Sequence, residues 1–202
     1  MSAPSAIIFD LGKVLVDFDY SRAGRRIAAS SSASAEQVRE FIDHSPLLER
    51  YETGRISTSE FFEAVRTATG YGGTVEEFAA AFGDIFSPLE EMIEFHALLR
   101  RRGFPTYILS NTNELAIRHI RTNFPFFAEF DGYIFSHEIG VMKPHAEIYE
   151  AVEHLTGKRG AELLFIDDRL DNVTAAATRG WHAVHHEAAA QTRFYLERLL
   201  AL

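Results

Sequence analysis

Asp10, the Ser110-Asn111 pair, Lys143 and the adjacent acids Asp167 and Asp168 each stand at the end of a short apolar run or a short loop beyond one. Together they offer a carboxylate nucleophile, a hydroxyl, a cation and two further carboxylates. A carboxylate can attack phosphorus and form an acyl phosphate, but two anions must first be brought together, so cations have to offset their repulsion. Asp10 and the Asp167-Asp168 pair can hold Mg²⁺, a cation that prefers oxygen ligands. Lys143 adds a second positive charge, and Ser110 with nearby backbone N–H groups can hold the phosphoryl oxygens. Phosphoryl transfer through an aspartate is the chemistry this set suits.

The runs that carry these residues are "AIIFD", "TYILSN", "GYIFSHE" and "LLFIDD". Large apolar residues without alternation predict strands buried on both faces, the habit of parallel sheets. Amphipathic helix patterns separate the later runs, giving an αβαβ order. In an open parallel sheet ligands bind where the chain leaves the carboxyl ends of strands, so the acid, the hydroxyl, the cation and the acid pair converge on one rim.

The punctuation between the runs is readable too. Ser87-Pro88-Leu89-Glu90 predicts a helix start, with Leu89, Met92, His96 and Leu99 on one face and Gly103 past its basic end. The basic run 100–102 is thereby a helix terminus rather than a phosphate site. Pro144 opens a helix facing inward through Ile148, Val152 and Leu155, and residues 172–179 form a short one. "WHAVHH" reads as a fifth strand and residues 188–200 as a terminal helix. Residues 20–86 hold helix patterns without a convincing strand, with capping-box spacings at Ser34/Gln37, Ser57/Glu60 and Thr74/Glu77. They predict a small all-helical module inserted after the first strand, with "SSSAS" as a loop.

Composition bounds the rest. The chain has 202 residues, enough for one good core or one core plus a small accessory unit, and a formal net charge of −9. That charge argues against nucleic acid and anionic membranes as partners. Cysteine is absent, so thiolate metal sites are excluded. The N-terminal "MSAPSAIIF" has neither a basic n-region nor a long apolar run, and a cytoplasmic protein acting on a small metabolite is expected.

Four segments, "FDLGKV", "LSNTN", "GVMKP" and "FIDDRLDN", resemble in this order the four motifs of the haloacid dehalogenase-like (HAD) hydrolase superfamily. The resemblance implies an α/β fold with a Rossmann-like parallel sheet core, residues 1–19 and 87–202, and a helical cap, residues 20–86. It implies that Asp10 is the nucleophile and a Mg²⁺ ligand, and that Gly12 lends the metal a backbone carbonyl. Ser110 would bind phosphate with Asn111 beside it, and Lys143 would neutralise Asp10 and the phosphoryl group. Asp168 would bind the metal directly, and Asp167 would bind it or orient its ligands. Asn172 stands where many members carry another acid.

Gly12 departs from the pattern. Most phosphatases of the superfamily have an aspartate there, which protonates the leaving group and activates water; losing such a group costs about 10²–10⁴ in rate. Acidic leaving groups tolerate that loss best, which favours anomeric sugar, aryl or acyl phosphates. The "FDLG-x-V" form and the segment "ETGRIS" are also similar to a bacterial branch that includes glucose-1-phosphate phosphatases. The expected activity is a Mg²⁺-dependent sugar-phosphate phosphatase. The rivals are a metal-independent 2-haloacid dehalogenase, whose halide needs no proton, and a phospho-ligand-binding protein that turns nothing over.

Each residue also has a plainer reading. Asp10 suits a strand end and Ser110-Asn111 a turn. Lys143 is one of three lysines against seventeen arginines, which makes its place before Pro144 informative. Two adjacent acids at a sheet rim repel each other without a cation, which favours metal binding for Asp167-Asp168. His182, His185 and His186 read as edge or surface histidines. In "HSPLLERYETGRIS", Gly54 and Ser57 serve as helix stop and start, leaving His44, Glu49, Glu52 and Arg55 as candidates for specificity or for the missing acid.

Overall fold

The computed structural model describes residues 4–43 and 45–202, so His44 lies outside the described residues. The first apolar run is β1 (Ala6–Phe9). β2 (Val16–Phe18) follows, and five helices come next: α1 (Tyr20–Ala28), α2 (Ala35–Asp43), α3 (Pro46–Glu52), α4 (Thr58–Thr69) and α5 (Val75–Gly83). The chain returns through β3 (Phe86–Pro88) and α6 (Glu90–Arg101). The remaining strands alternate with helices: β4 (Thr106–Ser110), α7 (Glu114–Asn123), β5 (Gly132–Phe135), α8 (Ser136–Ile139) and α9 (Ala146–Thr156). β6 (Leu163–Asp167), α10 (Leu170–Thr178), β7 (His182–His185) and α11 (Ala189–Leu199) complete the chain.

Five strands form one parallel sheet in the order β5-β4-β1-β6-β7, so the first strand is central and the histidine-rich one an edge. Alternate residues of each strand feed opposite faces. Ile7, Phe9, Ile108, Leu164 and Ile166 pack under α6, α7 and α11, whereas Ile8, Leu109, Phe165 and Ala6 pack under α9 and α10. Both faces being dry explains the unbroken apolar runs. The inserted helices bury a core of their own around Phe61, Phe78 and Phe82. Its helices start where the capping boxes predict, at Ser57 and Thr74.

Two expectations are corrected here. Residues 86–88 are not the start of a helix: Phe86 pairs with Phe18 and Pro88 with Val16 in an antiparallel ribbon at the root of the insertion, and α6 begins at Glu90. A tertiary pairing thus overrides the local Ser-Pro signal, and proline is tolerated because it loses no ladder bond on a two-stranded edge. In α9 the inward face carries Ile148, Tyr149 and Val152, while Leu155 is exposed. Among the described residues no helix is long and apolar enough to cross a membrane.

Candidate active site

Because β1, β4 and β6 are parallel neighbours, their carboxyl ends bring Asp10, Ser110 and Asp167 to one rim. Asp10 follows Phe9, and its backbone N–H donates to the Ile166 carbonyl at 2.8 Å, extending the pairing with β6 by one residue. The Leu11 N–H donates to Asp10 Oδ1 at 2.7 Å, which points the carboxylate across the rim rather than along the chain.

Lys143 reaches this rim from the loop after α8. Its ammonium donates to Asp10 Oδ1 at 2.8 Å, Asp167 Oδ2 at 2.7 Å and the Leu109 carbonyl at 3.0 Å, and its side chain is only 1% exposed. All three N–H donors are therefore satisfied, the condition for burying a charge. Burial disfavours the ammonium, but Asp10 and Asp167 together outweigh it and hold its pKa above the ordinary lysine value. Burial likewise pushes the Asp10 carboxyl up, against the pull of Lys143, with Asp167 adding to the rise.

Asn111 positions this lysine. Its Oδ1 accepts from the Lys143 backbone N–H at 2.7 Å and its Nδ2 donates to the Lys143 carbonyl at 3.0 Å, so the amide clamps one peptide from both sides. Ser110 is buried beside it, with only a 3.4 Å contact from its hydroxyl to the Asn111 carbonyl, which leaves that hydroxyl available.

Asp167 is the most engaged acid. Besides Lys143 it accepts from the Arg169 N–H at 2.8 Å and from Asn172 Nδ2 at 3.0 and 3.1 Å. Asp168 is half-buried, and burial and the Asp167 charge raise its pKa. Carboxylate oxygens of Asp10, Asp167 and Asp168 lie within 4.8 Å of one another, a spacing that suits a hard divalent cation with oxygen ligands.

Gly12 sits in the turn between β1 and β2. A Cβ there would stand 3.0 Å from Cε1 of Phe18, whose ring packs edge-on against Tyr20 and Phe86. An aromatic ring thus lies against the place a β-carbon at this position would take.

The histidines of β7 are partly as expected. His182 and His185 lie on the edge strand, with the His185 ring on the Asp168 carbonyl at 2.9 Å, whereas His186 is buried and bonded to Thr192 at 2.8 Å. His186 is therefore not a surface residue; α11 closes over it.

A cavity of about 770 Å³ opens beside the rim, with Asn111, Lys143 and Arg169 on the core side and Glu49, Glu52 and Arg55 among the cap residues that line it. Gly54 brings the two parts together. It has φ +64°, and a Cβ there would lie 2.3 Å from the His137 carbonyl oxygen, so the backbones touch where only glycine fits. Its helix-stop role, legible in the sequence, is the lesser reason for the residue.

Sequence reading missed Asn113. Its Oδ1 caps α7 by accepting from the Ala116 N–H at 3.0 Å, and its amide lies beside the Glu52 carboxylate, whose pKa it draws down against the effect of burial. The N-cap spacing was legible; the approach to a residue of the cap was not.

A family model described as hydrolase, haloacid dehalogenase-like hydrolase, matches residues 4–180. The chain is similar to D-ribitol-5-phosphate phosphatase of Bacteroides thetaiotaomicron, 25% identical over 200 residues covering 96% of this chain and 97% of the relative. It is also similar to the sesquiterpene phosphatase astK of Aspergillus oryzae, 27% identical over 198 residues covering 96% of each. A crystal structure of a HAD family enzyme from Bacteroides thetaiotaomicron, in complex with magnesium and inorganic phosphate, superposes with a TM-score of 0.82. That alignment covers 92% of this chain and 95% of that one at 24% identity, a likeness of fold.

Proposed function

The chain belongs to the haloacid dehalogenase-like hydrolases, and on that premise we propose that it hydrolyses a small phosphate monoester, a sugar phosphate such as glucose 1-phosphate, with Mg²⁺ bound. The observation that carries this reading is the Lys143 ammonium sunk between Asp10 and Asp167, beside a third carboxylate spaced for a cation. The relatives named as phosphatases support it.

Asp10, Asp168 and the Gly12 carbonyl would hold the metal. Asp167, already bonded to Lys143, Arg169 and Asn172, orients the cluster. Mg²⁺ bound there supplies positive charge that offsets the phosphoryl oxygens. Asp10 attacks phosphorus and the ester oxygen leaves, giving an aspartyl phosphate that water then hydrolyses. Lys143 shields the approach of the two anions, and the Ser110 hydroxyl donates to a phosphoryl oxygen. Residues 20–86 act as the cap that shapes the substrate site, on a core of residues 1–19 and 87–202.

The cavity supports a hydroxylated leaving group. Glu49, Arg55, His145, Glu147 and Arg169 are among the residues that line it, offering donors and acceptors that a terpene could not bond but a sugar or polyol could. An anomeric phosphate also asks less of the acid that Gly12 lacks.

The test is hydrolysis of p-nitrophenyl phosphate and α-glucose 1-phosphate with Mg²⁺ or EDTA, alongside Asp10→Asn. Metal-dependent phosphate release lost in the variant is expected. Halide release from a 2-haloacid in EDTA would replace this reading with the dehalogenase one, and ligand binding without turnover with the binding-protein one.

A further inference from the structure

Phosphate-ester hydrolysis needs a proton at the leaving oxygen and a base for water, and on this rim the position next to the nucleophile cannot provide either. Gly12 has no side chain, and the apolar Phe18 ring lies against the place its β-carbon would take. The proton must come from another element that faces the same cavity.

Resting on the phosphatase reading, we propose that Glu52, at the end of α3 in the cap, is the general acid and base of this site, held for that role by Asn113. Glu52 lines the cavity that Lys143 and Asn111 line from the core. Lys143, which lines this cavity, also donates to the nucleophile Asp10 at 2.8 Å.

Asn113 lies three residues beyond Ser110 in the same loop. Its carbonyl oxygen is committed to capping α7, which turns its amide N–H₂ toward the Glu52 carboxylate. The cap acid thus sits against the loop that carries the phosphate-binding serine. Gly54, two residues on, fixes the same segment by backbone contact with His137. Glu49, also on α3, is exposed by comparison.

The environment suits a proton carrier. Burial pushes the Glu52 carboxyl up to about 7; the Asn113 amide pulls the other way, and Asp43 and Glu49 add to the rise. Tyr20 on α1 also lies within the field of Glu52 and Asp43. A carboxyl with this pKa is part protonated and part ionised near neutrality, as a group that must act first as acid and then as base requires.

The step balances. An Asp10 oxygen bonds to phosphorus as the bond to the ester oxygen breaks, and that oxygen takes the Glu52 proton. Glu52, now ionised, takes a proton from water whose oxygen attacks the same phosphorus. The Asp10–phosphorus bond breaks, inorganic phosphate leaves, and both carboxyl groups return to their starting states.

The experiment compares Mg²⁺-loaded wild type, E52Q, E52D and E52A, each checked for a cooperative thermal transition. With p-nitrophenyl phosphate, whose leaving group departs without a proton, E52Q is expected to give a nitrophenolate burst matching the enzyme concentration. A steady rate lowered about 10²–10⁴-fold follows, and acid-quenched protein carries a phosphoryl group. With ribitol 5-phosphate, an alkyl ester, the burst is expected to disappear because phosphorylation itself needs the proton. E52D restores part of the rate, and added formate accelerates E52A, a rescue that no structural role predicts.

E52Q turning over p-nitrophenyl phosphate at the wild-type rate overturns the assignment. So does a loss in all three variants with no burst on p-nitrophenyl phosphate and no response to formate. A wild type that releases no nitrophenolate overturns the phosphatase reading, and this assignment with it.

Discussion

Replacing Lys143 by methionine keeps an unbranched side chain of similar length in the same buried slot while removing its charge. What remains is two carboxylates, Asp10 and Asp167, and the Leu109 carbonyl, all of which had bonded one ammonium. Carboxylate oxygens of the two acids lie no more than 4.8 Å apart. At an effective dielectric constant near 20, two charges at that distance repel by roughly 3–4 kcal/mol. Breaking a buried ion pair from one side costs about 3–5 kcal/mol, in agreement.

The loss should depend on pH with a definite sign. The Asp10 carboxyl already sits above its ordinary value in the folded protein, so its contribution to stability is present at low pH and fades as pH rises through the raised pKa. Removing Lys143 takes away the main influence that lowers it, which deepens the loss at high pH. K143M in EDTA should therefore lose about 3–5 kcal/mol at pH 8 and about 1 kcal/mol at pH 5, where the carboxyl holds a proton. Mg²⁺ should recover more stability in K143M than in wild type, since it replaces the missing charge. Urea unfolding followed by circular dichroism, at both pH values and with or without Mg²⁺, reads all of this. A loss equal at both pH values and unmoved by Mg²⁺ would show that Lys143 acts by packing, and the electrostatic argument would fail.

Two further outcomes follow from the same geometry. G54A places a Cβ against the His137 carbonyl at a left-handed φ, and backbone on both sides leaves nothing soft to yield; stability should fall by about 1–2 kcal/mol from the φ alone. As the cap segment shifts, kcat/KM should fall on the order of 10²-fold, and unchanged kinetics would deny the cap–core contact its role. His96 is buried, stacked on Phe130 at 3.9 Å and bonded to Thr106 at 3.0 Å, and burial, with Arg100, pushes its pKa down to about 4. The unfolded chain takes up that proton first, so the stability it contributes, about 2–3 kcal/mol, is present above pH 6.5 and lost as pH falls toward 4. Urea midpoints of the Mg²⁺-loaded protein against H96L should show a flatter acid limb in the variant.

Much of this site is legible in the sequence. Runs such as "LLFIDD" read as strands because burial on both sheet faces demands unbroken apolar residues, and a parallel sheet sends every strand's polar sequel to one rim. That logic alone places Asp10, Ser110 and Asp167 together, with no need to know which strands are neighbours. The capping boxes at Ser57 and Thr74 were equally plain, because their bonds close within four residues. Tertiary structure decided what depends on distant partners. It paired Phe86–Pro88 with Val16–Phe18 against the local helix signal, and it laid the Phe18 ring over Gly12. It seated Gly54 on the His137 backbone, brought Asn113 beside Glu52 and clamped the Lys143 peptide in the Asn111 amide. Local periodicity reports which face of an element is dry, and adjacent residues carry that signal. Which side chain meets which across a cavity is settled only when separately formed layers pack, and one chain's residue order holds no local trace of it.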